Sequence, residues 1–125
     1  MPGFIPHFIA GNAMFLIGSV FIQKFSKLQY NSTNVILLYV VCIFSSILPD
    51  FVLSIYYIFN IGSYADLVII HAQFHQIVSP IAAVVFVILA GLDIIKKKAI
   101  WIMAPICIIL HIIMDATISE SSVYF

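Results

Sequence analysis

Four long apolar runs alternate with short polar breaks along this chain. The runs cover residues 5–25, 35–59, 66–92 and 99–118. Each is close to or above the roughly 20 residues that a helix needs to cross a bilayer's hydrocarbon core. The pattern predicts one all-α domain over residues 1–125, a polytopic integral membrane protein with four transmembrane helices. Residues 24–34 form a polar loop, Asn60-Ile61-Gly62-Ser63 is a turn signal, residues 93–98 form a second loop, and Ser119-Glu120-Ser121-Ser122 is a short polar tail. Pro6 suits a first helical turn, where its missing N–H costs nothing. Pro49 and Pro80 fall inside runs and predict kinks that open space between helices. Gly11, Gly18 and Ser19 give the first helix a face on which another helix can pack closely.

Composition excludes a soluble fold. At 64% hydrophobic and 8% charged residues, with a mean hydropathy of +1.21, too few polar residues remain to cover a soluble surface. The net charge is zero and arginine is absent, so a nucleic-acid partner has no electrostatic support. All the basic residues are lysines, Lys24 and Lys27 in one loop and Lys96, Lys97 and Lys98 in another. Four spans put those two loops on one side. The positive-inside rule then makes that side cytoplasmic and leaves both termini non-cytoplasmic in a multi-pass cell-membrane protein. Met1-Pro2-Gly3-Phe4 lacks a basic leader region, so the first run reads as a retained helix. Cys42 and Cys107 fall in mid-run and read as small packing residues.

The chemistry lies in the polar residues that interrupt the runs. His71 and His75 are four apart, as are His111 and Asp115, and a helix points such pairs in one direction. Asp50 follows Pro49 in the second run, where an aspartate costs roughly 2.5–3.5 kcal/mol on insertion scales. At a rise of about 1.5 Å per residue, His75 and Asp50 lie roughly 13 Å below the outer helix ends, and His71, His111 and Asp115 roughly 4–11 Å. His7 enters at the outer end of the first helix. Every histidine, with Asp50 and Asp115, thus shares the non-cytoplasmic half, from four different helices.

Three readings fit such a cluster. Each group could be separate helix-packing glue; the set could be a proton or ion path; or it could hold a metal ion. Imidazole and carboxylate together suit zinc first, with manganese or iron as alternatives. A catalytic zinc keeps three protein ligands and one open position, so six candidates exceed one ion: two ions bind, or some residues act as base or as partners of the ligands. His71-Ala72-Gln73-Phe74-His75 is close to the metalloprotease H-E-x-x-H, but Ala72 stands where that motif carries its general base. A base then has to come from Asp50 or Asp115. The ion path is weakened because no ionisable group continues from Asp50 toward the lysine loops.

His7 with Gly11, Leu48-Pro49-Asp50, the His71/His75 pair and His111 with Asp115 follow one another in an order that resembles a known family. It is the small membrane-bound metal-dependent hydrolases that include the LexA-regulated inner-membrane hydrolase of bacteria and its archaeal relatives. That family carries His-x-x-x-Gly, Leu-Pro-Asp-x-Asp, His-Arg-Gly-x-Thr-His-Ser and His-x-x-x-Asp. Its hydrolase label is itself an assignment by resemblance and names no substrate. Here Val52 replaces the second aspartate, Ala72 the arginine and Gln76 the serine. The histidines of the third element are four apart instead of five, a difference of about 100° around a helix.

The resemblance implies metal-dependent hydrolysis, and the clustered residues give the expectation of an ester or phosphoester substrate at the membrane, one that a lipid could supply. The expected metal ligands are His71, His75, His111 and Asp115, with Asp50 bridging, ligating or acting as base and His7 an outer ligand or a partner of the ligands. Asp50 and Asp115 are the expected catalytic carboxylates. The bilayer is the expected surroundings, with a homo-oligomer or a membrane protein as possible company. The competing class is a non-enzymatic membrane subunit or metal-binding protein, which the missing arginine and aspartate favour.

Overall fold

The apolar runs fold as helices because only the prolines interrupt their backbone ladders, and side-chain caps mark the starts of the second and third. The computed structural model describes residues 4–93 and 96–117; the tail Ser119-Glu120-Ser121-Ser122 lies outside them. Helix α1 is Phe4–Phe25 and α2 is Ser32–Ile47, followed by a 3₁₀ turn at Leu48–Asp50 and α3 at Phe51–Phe59. Helix α4 is Tyr64–Gln73, followed by a π turn at Phe74–Val78 and α5 at Ser79–Leu92. A short α6, Lys98–Trp101, leads into α7, Met103–Thr117. Four helical stretches, Ile5–Phe25, Ser32–Tyr56, Ala65–Leu92 and Lys98–Thr117, are long and apolar enough to cross a membrane. No strand occurs among the described residues.

The caps explain the boundaries. The second span begins three residues before the expected position 35, because the Asn31 side chain accepts from the Asn34 amide at 2.9 Å and opens the helix there. Ser63 caps α4 by accepting from the Asp66 amide, while its hydroxyl donates to Asp66 Oδ2 at 2.6 Å. The turn expected at Asn60-Ile61-Gly62-Ser63 is present. Asn60 closes α3 with φ 51°, and Gly62 follows at φ 95°, where a side chain would be strained.

The prolines deform the spans differently. Pro49 tightens the second span into a 3₁₀ turn. Ahead of Pro80 the third span instead widens into a π turn, in which the Ser79 amide and the Ser79 hydroxyl both donate to the Phe74 carbonyl. Pro105 sits in the first turn of α7, just after the interruption at Ile102.

Helices α2 and α7 form the centre, with α1 on both of them and α5 against α7. Their packed apolar core comprises Ile22, Leu38, Val41, Cys42, Ile100, Met103, Ala104 and Cys107, at the end of the bundle near the lysine loops. Cys42 and Cys107 are free and buried, in the packing role expected of them. Close approach of α1 depends on its glycines. A Cβ on Gly18 would lie 3.2 Å from Met103 Cε and 3.3 Å from Leu38 Cδ1. One on Gly11 would lie 3.1 Å from both Ile43 Cδ1 and Ser46 Oγ. Large apolar side chains such as Ile9, Leu16, Ile36, Ile69 and Ile81 point outward.

Candidate metal centre

At the end opposite the lysines, each span delivers polar side chains inward, and local backbone features aim them. His7 lies in the first turns of α1, one turn before Gly11, whose lack of a side chain lets this part of α1 settle on Ser46. Asp50 ends the 3₁₀ turn at φ −92°, ψ 7°, a sparsely populated backbone region in which active-site residues recur. Ser54 Oγ donates to its carbonyl at 3.3 Å. His71 closes α4, and His75 stands in the π turn held by the buried Ser79. His111 and Asp115 project from α7 one turn apart, 3.3 Å between Nε2 and Oδ2.

All six sequence-predicted residues meet. Asp50 Oδ1 lies 3.3 Å from His75 Nε2 and 3.6 Å from both His71 Nε2 and His111 Nε2. Asp50 Oδ2 lies 3.6 Å from His7 Nε2. Asp115 Oδ2 is 3.3 Å from both His75 Nε2 and His111 Nε2, and Asp115 Oδ1 is 3.0 Å from His7 Nε2. Asp50, His75, His111 and Asp115 each offer a ligand atom within 4.8 Å of the other three. Metal–ligand bonds of 2.0–2.2 Å set neighbouring donors about 2.8–3.6 Å apart in octahedral or tetrahedral geometry, so these contacts fit the edges of a coordination shell.

These contacts are poor hydrogen bonds. His75 Nε2 and Asp50 Oδ1 have hydrogen-bond geometry, but Nε2 of His7, His71 and His111 and both oxygens of Asp115 are buried without a hydrogen-bond partner. The donors are near one another yet off the lines that a shared proton needs. A buried polar group left unsatisfied costs about 1–3 kcal/mol. Two carboxylates among apolar helices also repel each other and lack a lysine or arginine. One divalent cation would neutralise both and use the unpartnered lone pairs, so the donor set fits a metal.

One hydrogen bond fixes a ring for that purpose. His111 Nδ1 donates to the Ser46 carbonyl at 2.6 Å. A carbonyl can only accept, so Nδ1 carries a proton, and in the neutral ring the lone pair is then on Nε2, the nitrogen that faces the cluster. The sequence reading missed this partner, because a backbone acceptor has no residue-type signature; its one trace is that Ser46 lies a turn before Asp50 in the same span. Side-chain exposure is 1% at His7 and His111 but 11%, 12% and 15% at Asp50, Asp115 and His75, so the cluster is least covered at these last three, although both Asp115 oxygens are themselves buried.

Fold and site together define a small all-helical protein with four span-length apolar helices and a buried Asp/His cluster that could hold a metal ion. No protein-family model, curated protein or solved structure matches the chain.

Proposed function

We propose that this chain is a multi-pass membrane protein that uses a divalent metal, zinc first, to hydrolyse an ester or phosphoester of lipid origin. The observation that carries the proposal is the convergence of His7, Asp50, His71, His75, His111 and Asp115 from four spans at contacts of 3.0–3.6 Å. The sequence resemblance to membrane-bound metal-dependent hydrolases supports the reaction type. Lys27, Lys96 and Lys98 line one pocket at the other end of the bundle, which supports cytoplasmic lysine loops with both termini outside. The site then lies in the non-cytoplasmic half of the bilayer.

When bound, a divalent ion polarises the scissile group and acidifies a water molecule. The chain's own residues do the rest. His75 and His111, with Asp50 and Asp115, would hold the ion, and the Ser46 carbonyl orients His111 with Nε2 toward it. Asp50 and Asp115 are also the carboxylates in reach of a water proton, since Ala72 leaves no base beside the histidine pair. The apolar helices exclude bulk water, and substrate approaches past the partly open side chains of His75, Asp50 and Asp115.

A second reading, a non-enzymatic metal-binding membrane subunit, is favoured by Val52 and Ala72 at positions where the resembling family carries aspartate and arginine. One experiment separates them. The purified protein is reconstituted in phospholipid vesicles, and released fatty acid and phosphate are followed with added zinc, manganese or iron and with chelator. The hydrolase reading expects metal-dependent turnover that falls about 100-fold or more in His75→Ala and Asp115→Ala. Retained metal without turnover would select the subunit reading instead.

A further inference from the structure

The two carboxylates divide their oxygens. Asp50 Oδ1 faces His71, His75 and His111, while its Oδ2 faces His7. Asp115 repeats the division, with Oδ2 toward His75 and His111 and Oδ1 toward His7. His7 therefore meets a different oxygen of each aspartate from the one the other histidines meet.

The rings of His7 and His111 make the same separation. They are stacked, with centroids 3.7 Å apart and planes inclined by 20°. An imidazole binds a metal with its in-plane lone pair, so an ion shared by both rings has to lie in both planes. Two planes so placed intersect only roughly 10 Å away, far beyond a zinc–nitrogen bond of about 2 Å. Each ring instead addresses its own position, and positions set apart by the stacking distance match the roughly 3.5–4 Å between ions in two-metal sites. His75 is not subject to this exclusion, since its ring is tilted 44° to His111 at a centroid distance of 5.1 Å.

We infer that the cluster is a two-ion centre: His7, Asp50 Oδ2 and Asp115 Oδ1 hold a second cation beside the one held by His75, His111, Asp50 Oδ1 and Asp115 Oδ2. The inference rests on the metal-binding part of the reading above and extends it, but with both oxygens of each aspartate used as ligands it replaces the role of Asp50 and Asp115 as bases. Both aspartates are bridges, each giving one oxygen to each ion. His7 is the one histidine that belongs to the second position. Both of its ring nitrogens are buried without a hydrogen-bond partner, as a ligand awaiting an ion would be.

The test is a manganese titration of detergent-purified, chelator-stripped protein, read by bound metal per chain and by electron paramagnetic resonance. The wild type is expected to bind two equivalents and to give the exchange-coupled spectrum of a manganese pair, with hyperfine lines at about half the spacing of an isolated ion. His7→Ala is expected to bind one equivalent with an uncoupled spectrum, and Asp115→Ala to lose both. One uncoupled equivalent in both wild type and His7→Ala would overturn the second position and leave the first intact. No bound manganese in a folded wild type, with none for zinc or iron either, would overturn both. Should His7→Ala fail to fold, the wild-type stoichiometry and coupling decide alone.

Discussion

The two ends of the bundle bury opposite kinds of side chain. Near the lysine loops, Ile22, Leu38, Ile100, Met103 and Ala104 interlock, and glycine at position 18 lets α1 lie against them. At the other end the same three spans, joined by the third, bury His7, Asp50, His71 and His111, with many of their polar atoms unpartnered. The packed end holds the helices together by close contact and leaves nothing for a ligand to do. The polar end is incomplete by its own chemistry: two carboxylates and several imidazole lone pairs face one another with little to share. Close packing is therefore concentrated at one end and the proposed metal chemistry at the other, and the two ends should respond differently to substitution.

The largest difference is expected in metal binding. Asp50→Ala or Asp115→Ala removes a donor and half of the site's negative charge, and each should weaken metal affinity by at least about 100-fold, the upper range even for residues that merely support ligands. Equilibrium dialysis of purified variants measures this. Leu38→Ala, at the packed end, should leave metal stoichiometry unchanged while destabilising the fold by about 2 kcal/mol. That is the low part of the range for such a truncation, because lipid replaces water as the alternative environment. Unfolding in mixed detergent micelles reads the loss, and a fall in metal binding of equal size would erase the contrast between the ends.

Gly11→Leu tests how far the two ends are coupled. Its side chain would meet Ile43 and Ser46, push α1 away at the level of His7 and cost about 1–3 kcal/mol. Metal bound at the His7 position should fall before metal bound by His75 and His111, which shows as a drop toward one equivalent per chain. The smallest effect is expected at Ser63, which caps α4 away from both the core and the cluster. Ser63→Ala should cost about 1 kcal/mol or less in the same unfolding assay, with metal stoichiometry intact.

Much of the helical architecture was legible in the sequence because hydropathy and proline are local signals. The four runs match four span-length helices to within a few residues, and the differences lie where a cap decides, as at Asn31. The six polar residues were also legible, since an ionisable side chain inside an apolar run stands out. Their convergence followed from depth along each helix, but their division did not. Depth ranks residues along the helix axis and says nothing about which oxygen of Asp50 faces which ring. The His7–His111 stack is likewise a product of how α1 meets α7. The π turn was hidden for another reason: Pro80 announces a disturbance, but widening in place of a kink depends on Ser79 bonding back to Phe74. The four-residue step between His71 and His75 does not separate the two rings, which sit 4.5 Å apart between centroids and both reach Asp50.

The most direct test of the metal centre is X-ray absorption at the zinc edge on zinc-loaded, detergent-purified protein. Retained zinc is expected, with a shell of nitrogen and oxygen at about 2.0–2.2 Å, the outer scattering of imidazole, and no sulfur at about 2.3 Å. Absence of bound zinc would contradict the proposed centre, and so would a sulfur shell, which would place the ion at Cys42 and Cys107 instead.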